Sequence, residues 1–243
     1  MHMRTKKWAR PELHACPYYA AFPEEMKGTW HTRFTRPGPV HLELGCGKGV
    51  GTAQMVHDHP EINFLAMDIS DDVLGDARRN IERALEGEDG RQADNIYLVK
   101  CDIEFISKIL GPEDVVDRIH IYFCNPWSKQ PHKKRRLTHP RQLCQYRTFL
   151  RDGGEIYFKT DDKNLWEESL RYFKTCLFDP VFLTEDLHGS GFSPNYMTEH
   201  ERKFAAQGLP IYFGIFRKLP GEVQLDPTRF YLGLSDRVCD DNS

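Results

Sequence analysis

Val40-His41-Leu42-Glu43-Leu44-Gly45-Cys46-Gly47-Lys48-Gly49 joins a short apolar run to three glycines at alternate positions. A glycine-rich turn directly after a buried strand lets a ligand approach the backbone closely, because no Cβ intervenes. A dinucleotide-binding fingerprint needs its third glycine three residues after Gly47, where this chain has Val50. The stretch therefore predicts the first strand and ligand loop of an α/β fold whose ligand is not a dinucleotide.

From about residue 38 the chain alternates short apolar runs with longer amphipathic segments, which is typical of β-α units around a mostly parallel sheet. We predict a Rossmann-like, doubly wound α/β fold with about seven strands. One strand near the C-terminus should be antiparallel, because only a short helix separates the last two apolar runs. The predicted strands are 40–44, 62–67, 96–99, 119–123, 155–158, 181–183 and 211–216, and the predicted helices are 70 to about 87, 162–172 and 198–207.

Length and composition predict a globular chain with three segments. Its 243 residues are 40% hydrophobic and 28% charged, values that exclude a wholly disordered chain or a membrane bundle. We expect a basic, extended N-terminal arm at 1–36, the main domain at 37–220, and a C-terminal extension at 221–243 that continues a strand region near 230–234. The chain contains no apolar run long enough for a membrane span and no C-x-x-C pair for a metal, so we expect a soluble, cytoplasmic protein with reduced thiols.

Positive charge is concentrated in two places, although the formal net charge is only −3. Residues 119–151 contain eight basic residues and no acid, and residues 1–11 contain four basic residues and no acid. A charge run is often only a solvated surface. This one follows the fourth predicted strand and lies beside Trp127, which could stack on a base or simply pack in the core. The position favours a nucleic-acid partner.

Acidic residues accompany the glycine loop at the ends of the predicted strands. Asp68 closes the second strand, and Asp102 follows the third. A carboxylate can accept two hydrogen bonds from a ribose diol, and Glu43 beside the loop can face the cationic end of a ligand. This pattern resembles the Rossmann-like S-adenosylmethionine-dependent methyltransferases. The alternative is an ordinary glycine turn in which the acids cap helices.

Four separated motifs extend the resemblance over nearly the whole chain. They are Glu-Leu-Gly-Cys-Gly-Lys-Gly at 43–49, Phe-x-Asn-Pro-Trp-x-Lys with His-x-Lys-Arg-Arg-Leu at 123–137, Lys-Thr-Asp at 159–161, and Met-Thr-Glu-His-Glu-Arg-Lys-Phe at 197–204. In this order they resemble the bacterial tRNA (guanine-N7)-methyltransferases. The resemblance implies methyl transfer from S-adenosylmethionine to guanine N7 in the tRNA variable loop.

The resemblance also implies roles for individual residues. Asn125 stands at the catalytic position, and the expected guanine and phosphate contacts lie downstream of it. The cofactor-binding set is Glu43, Gly45, Gly47, Gly49, Asp68, Asp102 and Asn125. The substrate-binding set is Lys129, Asp161, Thr198 and Glu201, and the RNA-binding set is His132, Lys133, Lys134, Arg135 and Arg136. We expect Asn125, Asp161, Thr198 and Glu201 to hold the guanine, and Lys129, Arg135 and Arg136 to hold phosphates.

The chain departs from the family pattern at the catalytic position, where the family usually has aspartate and this chain has Asn125. An amide is a weaker, neutral acceptor than a carboxylate, so rate and base selectivity are in question more than fold. Two alternatives therefore stay open: methylation of an exocyclic amine such as adenine N6, and an inactive, cofactor-binding tRNA adaptor. The sequence does not decide between monomer and homodimer, nor which tRNAs are used.

Overall fold

The structure, a computed structural model, describes residues 5–86 and 91–224. Its centre is an eight-stranded sheet in the order β1-β4-β3-β2-β5-β6-β8-β7. The strands are β1 (Tyr19–Ala20), β2 (Val40–Leu44), β3 (Asn63–Asp68), β4 (Ile96–Lys100), β5 (Val116–Tyr122), β6 (Leu150–Thr160), β7 (Phe178–Thr184) and β8 (Tyr212–Lys218).

Strand β2 lies between two parallel neighbours and is buried along its whole length. Leu42 is opposite Leu65 of β3 on one side and Ile119 of β5 on the other. The strand order reverses at β2, because the next strands along the chain lie on one side of it and β5 on the other. In open α/β sheets the ligand crevice forms at this reversal, outside the carboxyl ends of the strands.

The C-terminal part of the sheet confirms the predicted antiparallel strand. Strand β8 runs antiparallel to both β6 and β7, with Phe158 opposite Gly214 and Leu183 opposite the same glycine. The sheet is otherwise parallel, and it has eight strands rather than about seven because the two-residue strand β1 adds to the outer edge beside β4. A strand of two residues has no periodicity that a sequence could reveal.

Three helices lie where the sequence predicts them, namely α3 (Asp71–Leu85), α5 (Lys163–Thr175) and α6 (Glu199–Ala205), whereas α1 (Ala9–His14) lies in the segment expected to be an extended arm. Helix α3 begins after Ser70, which has extended backbone angles, and buries Leu74, Ala77 and Ile81 on one face. The helical bounds are α1 (Ala9–His14), α2 (Val50–Asp58), α3 (Asp71–Leu85), α4 (Pro140–Phe149), α5 (Lys163–Thr175) and α6 (Glu199–Ala205). No helix in the described ranges is both long and apolar enough to cross a membrane.

Residues 5–36 correct the expectation of an extended arm, since they pack against the rest of the molecule. Ala9 and Leu13 of α1 are fully buried. A Cβ on Gly75 of α3 would stand 2.8 Å from the Ala9 Cβ, so the two helices approach closely. Trp30 is 1% exposed and donates from Nε1 to the carbonyl of Ile109 at 3.0 Å. The division at residue 36 itself stays a prediction, and the expected strand region at 230–234 lies outside the described residues.

The packing of Trp30 yields a stability prediction. We expect Trp30→Ala to lower the free energy of unfolding by about 3–5 kcal/mol, because it removes a buried ring and the bond to Ile109. Phe22→Ala, at a ring that is 67% exposed, should change it by less than about 0.5 kcal/mol. Urea denaturation measures both. Equal, small losses would show that this N-terminal segment is not integrated in the core.

Candidate methyl-transfer site

The glycine loop after β2 is held against the end of β3. The N–H groups of Gly45 and Cys46 both donate to the carbonyl of Met67, at 2.9 and 3.0 Å. Gly45, Gly47 and Gly49 all have positive φ angles, of 77°, 56° and 63°. Left-handed backbone at these positions favours glycine, which explains the alternate spacing in the sequence.

Two of these glycines have different neighbours. A Cβ added to Gly47 would have no heavy atom within 4 Å, so this position faces open space. A Cβ on Gly49 would stand 2.7 Å from the Ala77 Cβ, so this glycine instead allows α2 and α3 to pack closely. Gly47, in the middle of the loop, is therefore open to a ligand, whereas Gly49, at its end, packs against the core.

A cavity of about 320 Å³ lies between the glycine loop and α6. Its volume is in the range of small-molecule sites, about 300–1,000 Å³. Its wall comes from three places in the chain: the end of β2 with the glycine loop, the end of β5, and the start of α6. The lining residues are Glu43, Gly45, Cys46, Gly47, Lys48, Gly49, Val50, Tyr122, Phe123, Thr198, Glu199, His200 and Lys203.

Glu43 is the buried acid of this cavity. Its side chain accepts a hydrogen bond from the Thr52 hydroxyl. Burial raises the pKa of Glu43 to about 7, with opposing effects from the Thr52 bond and the Lys159 ammonium. Ionisation of this carboxyl group is costly in the buried environment, and it becomes favourable when a cation binds beside it.

Asp68 and Asp102 lie at the neighbouring strand ends, and within the described chain they are not part of the wall of this cavity. Asp68 accepts from the Gly47 N–H at 3.0 Å and from the Ser70 N–H at 3.1 Å, so it supports the loop. Burial raises the pKa of the Asp68 carboxyl. Asp102 is exposed and caps the 3-10 helix that follows by accepting from the Glu104 N–H. This is the helix-cap role that the sequence left open.

Asn125 stands in a tight turn after β5. Its Oδ1 accepts from the Trp127 N–H at 3.0 Å, and Trp127 has a φ of 42°. Asn125 is exposed, whereas the Trp127 ring is half-buried and lies 5.2 Å from the Arg135 guanidinium. The side chain of Asn125 therefore shapes the turn as well as facing solvent at the carboxyl edge of the sheet.

The structure corrects the expected role of Glu201. This residue is fully buried, and its carboxylate pairs with Lys159 at 3.0 Å and accepts from the Asn195 amide at 2.7 Å. Its backbone N–H donates to the Thr198 hydroxyl, which caps α6. Because both carboxylate oxygens have partners inside the protein, Glu201 positions the start of α6 and does not present an acceptor to a base.

Asp161, Thr198 and His200 converge near the mouth of the cavity. Asp161 is half-buried and lies 3.4 Å from the His200 Nε2. The His200 ring stacks on Phe204 and has its centroid 4.9 Å from that of Phe123. Asp161 and Thr198 are predicted substrate-binding residues, and His200 lies between the predicted residues Thr198 and Glu201 in the motif at 197–204.

The basic segment divides into exposed and inward-facing cations. Lys129, His132, Lys134 and Arg135 are exposed, as a phosphate-binding role requires. Arg136 is fully buried and pairs with Glu168, which also pairs with Lys133. The prediction that Arg136 holds a phosphate is therefore wrong in this structure, because its charge is already neutralised inside the protein.

Lys159 and Lys48 are two paired cations near the site to which sequence reasoning assigned no role. Lys159 lies on β6 and is 2% exposed. Lysine is almost never fully buried without a partner, so its burial could not be predicted from the strand pattern before its partner was known. Lys48 of the glycine loop pairs with Glu199 of α6 at 2.7 Å and so spans the cavity mouth. Within the described chain, no group of three or more metal-ligating side chains is arranged to hold a metal ion.

Comparison with known proteins identifies the family. The family model described as "Putative methyltransferase" matches residues 37–213. The tRNA (guanine-N(7)-)-methyltransferase of Clostridium perfringens strain SM101 is 54% identical over 220 residues, covering 90% of this chain and all of that protein. The enzyme of the same name from Acetivibrio thermocellus is 49% identical over the same shares. This chain belongs to the tRNA (guanine-N7)-methyltransferase family.

Solved structures of other methyltransferases share the fold of this family member. The 16S rRNA methyltransferase KamB aligns with a TM-score of 0.56 at 12% identity, over 90% of this chain and 96% of that one. An antibiotic-related methyltransferase aligns with a TM-score of 0.54 at 15% identity, over 90% and 97%. These similarities confirm the Rossmann-like α/β fold.

The raised pKa of Glu43 predicts a pH-dependent stability. Between pH 4.5 and 7 the unfolded chain releases this proton while the folded protein keeps it, so stability falls as the pH rises. Glu43→Gln removes this cost. We expect its stability advantage over wild type to be larger at pH 8 than at pH 5 by about 2 kcal/mol, measured by urea denaturation.

The control is Glu167→Gln, which changes an exposed glutamate of α5 in the same way. Its effect on the free energy of unfolding should be nearly equal at the two pH values. An advantage of Glu43→Gln that does not change with pH would contradict the raised pKa.

Proposed function

We propose that this protein transfers a methyl group from S-adenosylmethionine to N7 of a guanine in tRNA, in the variable loop as the family resemblance implies. The observation that carries the proposal is the cavity between the glycine loop and α6, whose wall includes Phe123, two residues before the turn that begins at Asn125. The exposed cations of residues 129–135 follow that turn directly. Relatives with about half of their residues identical carry the corresponding name over the same length.

The residues of the cavity fit a cationic nucleoside. S-adenosylmethionine supplies an electrophilic methyl on a sulfonium, and it also carries an ammonium group. Glu43 provides the counter-charge, and the open backbone at Gly47 leaves room for close approach. Asp68 retains acceptor capacity beyond its bonds to Gly47 and Ser70, as a ribose diol requires. Asp102 lies one strand further along, where it could meet the adenine edge.

The reaction needs alignment more than proton transfer. Guanine N7 has a free lone pair and no proton to lose, so no general base is required. Asn125 can therefore serve in place of the usual aspartate. Its Oδ1 fixes the turn through Trp127, and its exposed amide faces the edge where methyl donor and guanine meet.

We assign the guanine contacts to Asp161, Thr198 and the ring of His200. Asp161 is half-buried and supplies acceptors for the N1 and N2 donors of guanine. Glu201 does not contact the guanine but holds the start of α6 in place through its bonds to Thr198 and Lys159. Lys129, His132, Lys134 and Arg135 bind the tRNA backbone, whose charge dominates nucleic-acid affinity. We place the activity in the cytoplasm, since the described cysteines are free thiols.

Product identification tests the proposal. We expect incubation of the protein with transcribed tRNA and S-adenosylmethionine, followed by nucleoside mass spectrometry, to yield N7-methylguanosine. N6-methyladenosine would support the exocyclic-amine alternative instead. Binding of tRNA without incorporation of a methyl group would support the adaptor and refute the proposed activity.

The exposed cations predict the salt dependence of tRNA binding. Lys134→Ala with Arg135→Ala should weaken binding and reduce the slope of log Kd against log salt by about 1–2, one unit per lost phosphate contact. The matched control is Arg171→Ala with Lys174→Ala, an exposed pair on the outer part of α5. An unchanged slope in the first double variant would contradict the RNA contact.

Substitutions of Asn125 separate its two roles. Asn125→Asp keeps the acceptor for the Trp127 N–H, so we expect kcat within about threefold of wild type. Asn125→Ala loses that acceptor and should lower kcat about tenfold or more, because the turn is no longer fixed. Single-turnover methylation measures both. A gain of tenfold or more in Asn125→Asp would show that the natural amide is a handicap.

A further inference from the structure

One carboxylate holds two cations of the basic segment inside the protein. Glu168 of α5 is 6% exposed and pairs with both Lys133 and Arg136. The Tyr172 hydroxyl lies 3.5 Å from the same carboxylate, one helical turn further along. Burial raises the pKa of Glu168, but Lys133 and Arg136 outweigh this effect and lower it, so the carboxylate stays ionised. Helix α5 is thereby joined to residues 133–136 by buried charges.

Arg136 also contacts the turn formed by residues 125–127, which contains the predicted catalytic position Asn125. Its Nε donates to the carbonyl of Pro126 at 2.6 Å, and its Nη1 pairs with Glu168. Pro126 stands between Asn125 and Trp127, the two residues whose hydrogen bond closes the turn. The guanidinium therefore binds the backbone of the turn on one edge and α5 on another.

The geometry requires arginine. A guanidinium is a rigid, planar donor group with separated nitrogens, and it can bond a carbonyl and a carboxylate in two fixed directions. A lysine ammonium can neutralise Glu168, but it lacks the Nε that reaches Pro126. Trp127 has a φ of 42°, which non-glycine residues adopt only when the surroundings impose it. The bond to the Pro126 carbonyl is one such constraint.

We propose that Arg136 and Glu168 are positioning residues of the methyl-transfer reaction, acting through Pro126 on the orientation of Asn125 and Trp127. The expected effect on kcat rests on the proposed methyl-transfer function. It distinguishes Arg136 from its neighbours Lys134 and Arg135, which face the tRNA. Removal of Arg136 should then affect the chemical step, whereas removal of the exposed cations affects binding.

The main variant is Arg136→Lys, because it keeps a cation beside Glu168. Glu168→Gln is the second variant, and it leaves the buried guanidinium without a full counter-charge. The control is Ser169→Ala, which removes the buried bond between the Ser169 and Thr138 hydroxyls. This control lies next to Glu168 on the same helix and joins the same two segments, but it has no bond to Arg136 or Pro126.

Kinetics give the first readout. We expect Arg136→Lys and Glu168→Gln to lower kcat at least tenfold, with KM for tRNA and the salt slope of binding within twofold of wild type. Ser169→Ala should keep kcat within twofold. A raised KM with a reduced salt slope in Arg136→Lys would make Arg136 a phosphate ligand and overturn the proposal. Equal kcat losses in Arg136→Lys and Ser169→Ala would overturn it as well.

Fluorine NMR gives a second readout that does not depend on methylation. The chain has four tryptophans, so protein labelled with 5-fluorotryptophan gives few signals, and Trp127→Phe assigns one of them. We expect Arg136→Lys to shift the Trp127 resonance and Ser169→Ala to leave it in place. An unshifted resonance in Arg136→Lys refutes the positioning role even if the protein methylates another base.

Discussion

The buried ion pair between the Lys159 ammonium and the Glu201 carboxylate is the interaction on which the arrangement of the site depends. Lys159 lies on β6, pairs with Glu201 at 3.0 Å, and also bonds Asn195 and the carbonyl of Tyr196. Burial lowers the pKa of Lys159, and the neighbouring charges of Glu201 and Glu43 oppose this effect. Without this ammonium, the buried carboxylate of Glu201 would keep, among the described residues, only the Asn195 amide and the His188 imidazole as neighbours, and a buried carboxylate without a full counter-charge is costly. The pair thus ties β6 to the start of α6, whose residues Thr198, Glu199 and His200 line the cavity.

Buried ion pairs also decide which charges remain available to ligands. Glu201 and Arg136 are both buried and paired inside the protein, whereas Asp161 and Arg135 stay accessible. The neighbouring residues of one short motif therefore have different tasks: some bind, and others hold the binding residues in place. Glu43 is the intermediate case, because it is buried next to a ligand cavity and its pKa is raised to about 7.

The sequence predicted the parts of the fold that follow from periodicity. Helix α3 has the expected limits within two residues because its buried positions recur with the helical period, and strand β2 matches its predicted limits as a short, fully buried run before the glycine loop. The packing of residues 5–36 was missed, since Ala9 and Trp30 are buried by partners far away in the sequence. The same limit applies to the site. The family resemblance placed Glu201 and Arg136 near it, but only the tertiary contacts to Lys159 and Glu168 show that their charges point inward.

The central claim is that the cavity between the glycine loop and α6 binds the methyl donor. Hydrogen–deuterium exchange with and without S-adenosylhomocysteine, the demethylated form of the cofactor, tests it most directly. We expect slower exchange at residues 43–50 and at the start of α6, with no change in α5. Protection confined to other parts of the chain, such as the cavity lined by His41 and His120, would contradict this assignment.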